Sequence, residues 1–151
     1  MQIIQYDSKY NNSINEFICR ILVEEFDFEQ FREEVLTADN TKLIENGGFF
    51  WIAIDEDENI IGTICLHVKE DSNAELKKLY VKKEYRSKGL AHELFDNLIE
   101  CARNKAIPTI KLGTYEKLES AIKFYLKKGF CETHRVDDEV YFTLAVEWRG
   151  V

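Results

Sequence analysis

The run from Leu79 to Ala91 places Arg86, Ser87, Lys88 and Gly89 between the end of an apolar strand pattern and the start of an apolar helical one that opens with Leu90 and Ala91. A turn of this kind can hold an anion. The first amides of a helix have no intrahelical partner and lie at the positive end of its dipole, so they donate readily to a pyrophosphate. Gly89 lets a ligand approach that backbone, and Arg86 and Lys88 reverse the local charge of a chain whose formal net charge is −8. Alone, the pattern Arg-x-x-Gly-x-Ala also describes an ordinary charged turn before a helix, so its weight depends on what surrounds it.

Two neighbouring segments supply that context. Downstream, Tyr125 follows Leu118, Ala121 and Ile122 at helical spacing; its phenol could donate a proton to a leaving group, or the ring could simply pack on that apolar stripe. Upstream, the strand Ala74–Val81 changes parity, with Leu76 on one alternation and Leu79 and Val81 on the other, which predicts a β-bulge. A bulge leaves backbone donors unpaired, which an extended ligand can use as an added strand and which can polarise a carbonyl. Glu75 begins that strand, where partial burial would suit a carboxylate to general-base work, although an exposed acid at a strand end reads equally well. Glu24 and Glu25 are alternatives.

Taken together, Arg86-x-x-Gly89-x-Ala91 and Ala121-x-x-x-Tyr125-x-x-x-Gly129-Phe130 resemble the signature of the GCN5-related N-acetyltransferase (GNAT) superfamily, over roughly Ala74 to Phe130. The resemblance implies a mixed, mostly antiparallel sheet of about six or seven strands flanked by about four helices, with the bulge in the fourth strand. It implies acetyl-CoA as co-substrate, with its pyrophosphate on Arg86 to Ala91 and its pantetheine arm along Leu79, Tyr80 and Val81. Tyr125 matches the tyrosine that often protonates the departing thiolate, and Glu75 a position where several members place a carboxylate. The implied reaction is direct attack by a primary amine of a small molecule or peptide in a ternary complex. The alternative is a sensor that binds acetyl-CoA without turnover. One departure stands out: many members carry Asn where this chain has Leu118, and Thr114 or Tyr115 are the candidates for replacing its contact with CoA.

The elements that would position these groups follow in order. Met1–Tyr6 reads as a strand, with Asp7 or Ser8 capping a helix that buries Ile14, Phe17, Ile18, Ile21 and Leu22. Residues from Glu24 to Asn40 read as a less regular helical stretch bordering the acceptor pocket, where Glu24 and Glu25 could attract a cationic amine or form a solvated acidic face. Phe49–Ile54 and Ile60–Val68 read as a hairpin, Leu90 to about Lys105 as a helix, Thr109–Gly113 as a strand, Leu118–Gly129 as a helix, and Phe130–Arg135 and Val140–Trp148 as closing strands.

Composition bounds the rest. A chain of 151 residues with 45% hydrophobic content supports one domain, 1–151, with its own core. Its acidic balance disfavours nucleic acid and anionic membrane as partners. The longest apolar stretch near the N-terminus, Ile18–Val23, is short and broken by Arg20, so a cytoplasmic protein is expected. Cys19, Cys65, Cys101 and Cys131 are far apart and lie in apolar patterns, which predicts buried reduced thiols; with His67, His92 and His134 they lack metal-ligand spacing, so no metal is expected. Oligomeric state is left open, a homodimer among the alternatives.

Overall fold

The apolar runs Phe49–Ile54 and Ile60–Val68 form strands β2 and β3, joined by a turn in which the Asp55 carboxylate accepts the amides of Asp57 and Asn59 at 2.9 Å each. In this computed structural model, which describes residues 1–69 and 73–147, they belong to a sheet completed by β1 (Gln2–Gln5), β4 (Ala74–Val81), β5 (Thr109–Tyr115), β6 (Cys131–Val136) and β7 (Glu139–Ala145). The strand order is β1-β2-β3-β4-β5-β7-β6, antiparallel throughout except for the parallel pair β4–β5. Trp148, expected to end the last strand, lies outside the described residues.

The sheet separates two cores. On one face α4 (Leu90–Asn104) and α5 (Glu119–Lys127) pack on Ala74, Leu76, Val81, Ile110, Leu112, Val140 and Phe142, with Leu94, Leu98 and Ala102 fully buried along α4. Gly62 allows that approach, since a Cβ there would stand 2.9 Å from Leu94 Cδ1. Gly129, at φ +99°, ends α5 as its position after the apolar stripe predicts. On the other face α1 (Asn11–Cys19), α2 (Arg32–Leu36) and α3 (Asn40–Glu45) cover Phe50, Ile52, Ile54, Ile60 and Cys65. No helix among the described residues is long and apolar enough to cross a membrane.

Three features differ from expectation. α3 is an additional helix, capped by Asp39 through the Thr41 amide at 3.1 Å; its short sequence has too little apolar spacing to announce it. α1 continues through a π-helical turn, Arg20–Glu25, and Asp7 caps a 3-10 turn ahead of α1 rather than α1 itself. Only Cys19 and Cys65 are buried; Cys101 is half-buried, and Cys131 is exposed because every residue of β6, a strand at the sheet's edge, faces solvent.

The parity change in β4 is a bulge. Thr63 faces Tyr80 and Cys65 faces Lys77, so β4 advances three positions while β3 advances two, and Lys78 takes up the extra residue at φ +57°. Leu76, Leu79 and Val81 thereby all pack toward the α4 side. The bulge is pinned from both sides. The fully buried Thr63 donates its hydroxyl to the Lys78 carbonyl at 2.6 Å, and the Lys78 ammonium meets Asn40 Oδ1. Asn40 in turn donates to Asn11 and Asn15 at 2.8 and 2.9 Å, and Asn15 donates to the Ala38 carbonyl at 2.7 Å. Replacing Thr63 by Val keeps the shape but leaves the Lys78 carbonyl without its donor, and urea unfolding should show a loss of about 1–3 kcal/mol. A loss under about 0.5 kcal/mol would mean that the bulge is held by other contacts.

Candidate active site

The parallel pairing of β4 with β5 is brief. Ala74 faces Ile110 and Glu75 faces Lys111, and beyond that register the strands part. The far end of β4 therefore presents a free edge, and a cleft of about 650 Å³ opens beside it. Leu79, Tyr80 and Val81 form one wall; Leu118, Ala121, Phe124 and Tyr125 of the α5 region form the other.

The end of the cleft is built by the turn after β4. Lys82 donates its amide to the Ile61 carbonyl at 2.9 Å, a 3-10 turn spans Lys83–Tyr85, and Ser87 and Gly89 follow at φ +62° and +88°. The first α4 hydrogen bond runs from Glu93 to the Gly89 carbonyl at 3.0 Å, and no side chain caps the helix. The amides of Leu90, Ala91 and His92 are thus left to a ligand. A Cβ at Gly89 would meet nothing within 4 Å, so the space above it is open. Ser87, Gly89 and Ala91 line the cleft, the Leu90 side chain is buried in the core below, and Lys88 is exposed.

Arg86 is held in place. Its Nε donates to the Val81 carbonyl at 2.9 Å, Nη2 donates to Glu25 Oε1 at 2.8 Å, Nη1 pairs with Glu25 Oε2, and the guanidinium lies 5.7 Å from the Phe26 ring centre. Hydrogen bonding to Arg86 holds the Glu25 carboxyl below its ordinary range, against the opposing effect of burial. The π-helical turn carries Glu25 to this contact. Glu24 is exposed beside it and Glu25 faces the cleft loop.

Tyr125 is 6% exposed, with its ring among Phe124, Phe130 and Phe142 at centroid distances of 5.8, 5.7 and 6.4 Å. Its hydroxyl has no hydrogen-bond partner among the described residues. Burial, and next the neighbouring Tyr80, push its pKa up, so the phenol keeps its proton at neutral pH. Tyr80 itself is raised to about 12, chiefly by burial. Packing and proton donation are compatible here.

Glu75 lies elsewhere. It lines a second cavity of about 610 Å³ with Lys111, Tyr115, His134 and Tyr141, and pairs with Lys69 at 3.0 Å and Lys77 at 3.8 Å. Thr114 and Tyr115 line this cavity too, whereas Leu118 lines the cleft. Burial raises the Cys65 thiol to about 12 and also raises Cys101, so neither is an activated nucleophile. Sequence reasoning missed Thr63, Lys78 and the asparagines behind the bulge. Asn15 gave a signal, a polar residue inside the buried face of α1.

A family model described as "Acetyltransferase (GNAT) family" matches residues 14–130. Among solved structures, a GNAT-family acetyltransferase from Staphylococcus aureus Mu50 superposes with a TM-score of 0.85 at 31% identity, covering 97% of this chain and 99% of that one. A PaiA N-acetyltransferase from Thermoplasma acidophilum, solved in complex with coenzyme A, shares the fold at a TM-score of 0.75 and 19% identity, covering 95% and 98%. Among curated proteins, N-alpha-acetyltransferase 30 of Schizosaccharomyces pombe is 31% identical over 58% of this chain and 61% of its own length. Aminoalkylphosphonate N-acetyltransferase of Salmonella typhimurium is 26% identical over 82% and 80%. The match spans less than two thirds of the first curated relatives, 61%, 33% and 40% of their lengths. Bulged fourth strand, parted parallel pair and uncapped helix accord with the family match over most of the chain, and the protein belongs to the GNAT acetyltransferase family.

Proposed function

We propose that this protein transfers an acetyl group from acetyl-CoA to a primary amine by direct attack in a ternary complex. The observation that carries the reading is the parting of β4 from β5 beyond Glu75 and Lys111, with uncapped helix amides at one end of the opening and a protonated phenol in its wall. All curated relatives named above are N-acetyltransferases, which supports an amine as acceptor.

The residues present fit the co-substrate. The amides of α4 and the open space at Gly89 suit a pyrophosphate, and the unpaired edge of Leu79, Tyr80 and Val81 suits an extended amide-bearing chain. Acetyl-CoA would supply the activated acyl group as a thioester. Arg86 acts on this reading as a brace that fixes the loop through Glu25 and Val81. Glu75 takes a proton from the amine, directly or through water, and Tyr125 gives one to the departing sulfur, so the new C–N bond forms as the C–S bond breaks. What supports Glu75 is its place in the last β4–β5 pair, on the rim of the second cavity. The free cysteines fit a reducing compartment such as the cytoplasm.

Tyr125→Phe should lower kcat by about a hundredfold or more while acetyl-CoA affinity stays the same, as measured by thiol release and calorimetry. An unchanged kcat removes Tyr125 from the mechanism. Gly89→Ala places a methyl group in the cradle at a positive φ, and calorimetry should show acetyl-CoA binding weakened by roughly tenfold or more, with helix content intact by circular dichroism. Binding equal to the parent protein would move the pyrophosphate away from this loop.

A further inference from the structure

The second cavity is set by strand parity. Along β5, Ile110 and Leu112 are buried toward α4 and α5, and Lys111, Gly113 and Tyr115 alternate to the opposite face. Their register partners Thr143, Tyr141 and Glu139 share that face. The α1–α3 layer reaches only as far as Tyr115, whose ring meets Phe28 at 4.6 Å and Phe31 at 5.9 Å. Beyond it, no helix among the described residues covers the sheet face over β5, β7 and β6, which forms the cavity. Its floor is aromatic: Tyr141 stacks on His134 at 4.5 Å and 5°, and lies over Gly113, where a Cβ would come within 2.9 Å of the ring.

The cavity wall carries two lysines, Lys69 and Lys111, and two glutamates, Glu75 and Glu139. Glu75 is already shared by Lys69 and Lys77, and Glu139 accepts the Tyr141 hydroxyl. Lys111 has no ion pair or hydrogen bond among the described residues, although it lines the cavity. His67, opposite Glu75 on β3, is kept from protonating first by burial and next by Lys77, so it adds no charge. Among the described residues, Lys111 is thus a lysine of the cavity wall without a counter-ion in a chain of net charge −8, while Glu139 keeps its negative charge at the Tyr115 end. Glu24 and Glu25 do not line it.

We propose that the acceptor is a small amine carrying its own anionic group, a carboxylate or phosphonate, bound with the anion on Lys111 and the amine toward Glu75. This deepens the acetyl-transfer reading and rests on it. Glu75 and Lys111 face each other across the parallel pair, and neighbouring strands lie about 4.8 Å apart. A diamine would instead bring a second positive charge to Lys111.

The test is thiol release from acetyl-CoA with β-alanine, 2-aminoethylphosphonate, propylamine and 1,4-diaminobutane, for the parent protein, Lys111→Glu and Lys111→Arg. The two anionic amines should exceed propylamine and the diamine by about tenfold or more in kcat/KM, a ratio within reach of one added charge contact. Lys111→Glu should raise KM for the anionic amines and shift preference toward the diamine, Lys111→Arg should retain the parent's order, and acetyl-CoA affinity by calorimetry should be the same in all three. Preference for the diamine or propylamine in the parent, or an order untouched by Lys111→Glu, overturns the inference alone. Acetyl-CoA binding without turnover of any amine overturns the acetyl-transfer reading and this inference with it.

Discussion

The extra residue at Lys78 is the constraint on which the rest of the structure depends. A left-handed backbone at a lysine is strained, and it persists because its carbonyl takes the Thr63 hydroxyl and its ammonium is drawn into the asparagine cluster under α3. Burial lowers the pKa of that ammonium, and its partners there are amide groups rather than a carboxylate. The helices on one face of the sheet therefore hold the backbone distortion that shapes the cleft on the other. Without the extra residue, Leu79 and Val81 would turn away from the α4 core, and the register of β4 would conflict with its own apolar pattern.

The local fields follow from how charges are spent. The chain is acidic, yet several carboxylates near the two concavities have partners: Glu25 has Arg86, Glu75 has Lys69 and Lys77, and Glu139 has the Tyr141 hydroxyl. Pairing Arg86 with Glu25 removes most of its Coulombic value to an anion but fixes the loop that aims the α4 amides. On the proposed reading, backbone donors and the helix dipole carry the attraction for the pyrophosphate, and they need no reorganisation when it arrives.

Much of this was legible because it is written into packing. The parity change between Leu76 and Leu79 announces the bulge, and the stripe Leu90, Leu94, Leu98, Ala102 announces the helix behind the turn, since both patterns must be buried to be stable. Leu79, Tyr80, Val81, Arg86, Ser87, Gly89, Ala91 and Tyr125 are gathered round one cleft because strand, turn and helix are contiguous, while Lys88 and Leu90 stay off its wall. The contact between Glu25 and Arg86 was not legible: 61 positions separate the two residues, and nothing in either neighbourhood names its partner. The exposure of Cys131 was hidden for a related reason, because an edge strand can carry an apolar residue without burying it.

The two faces of β5 differ in how readily they can be read from the sequence. Ile110, Leu112, Val140 and Phe142 must fill the core against α4 and α5, so the face that supports Tyr125 is bound by volume and shape. Lys111, Tyr141 and His134 point to a face that no helix covers, where substitutions change charge and surface at little cost in packing. On the proposed reading, acceptor choice on that face can be altered without disturbing the bulge, the brace or the cradle. Only the pair Glu75 and Lys111 belongs to both, since it marks the last contact between β4 and β5 and stands on the rim of the open face. On the proposed reading, Glu75 and Lys111 therefore stand where the amine meets the opening, whereas changes at His134 or Tyr141 act on the acceptor alone.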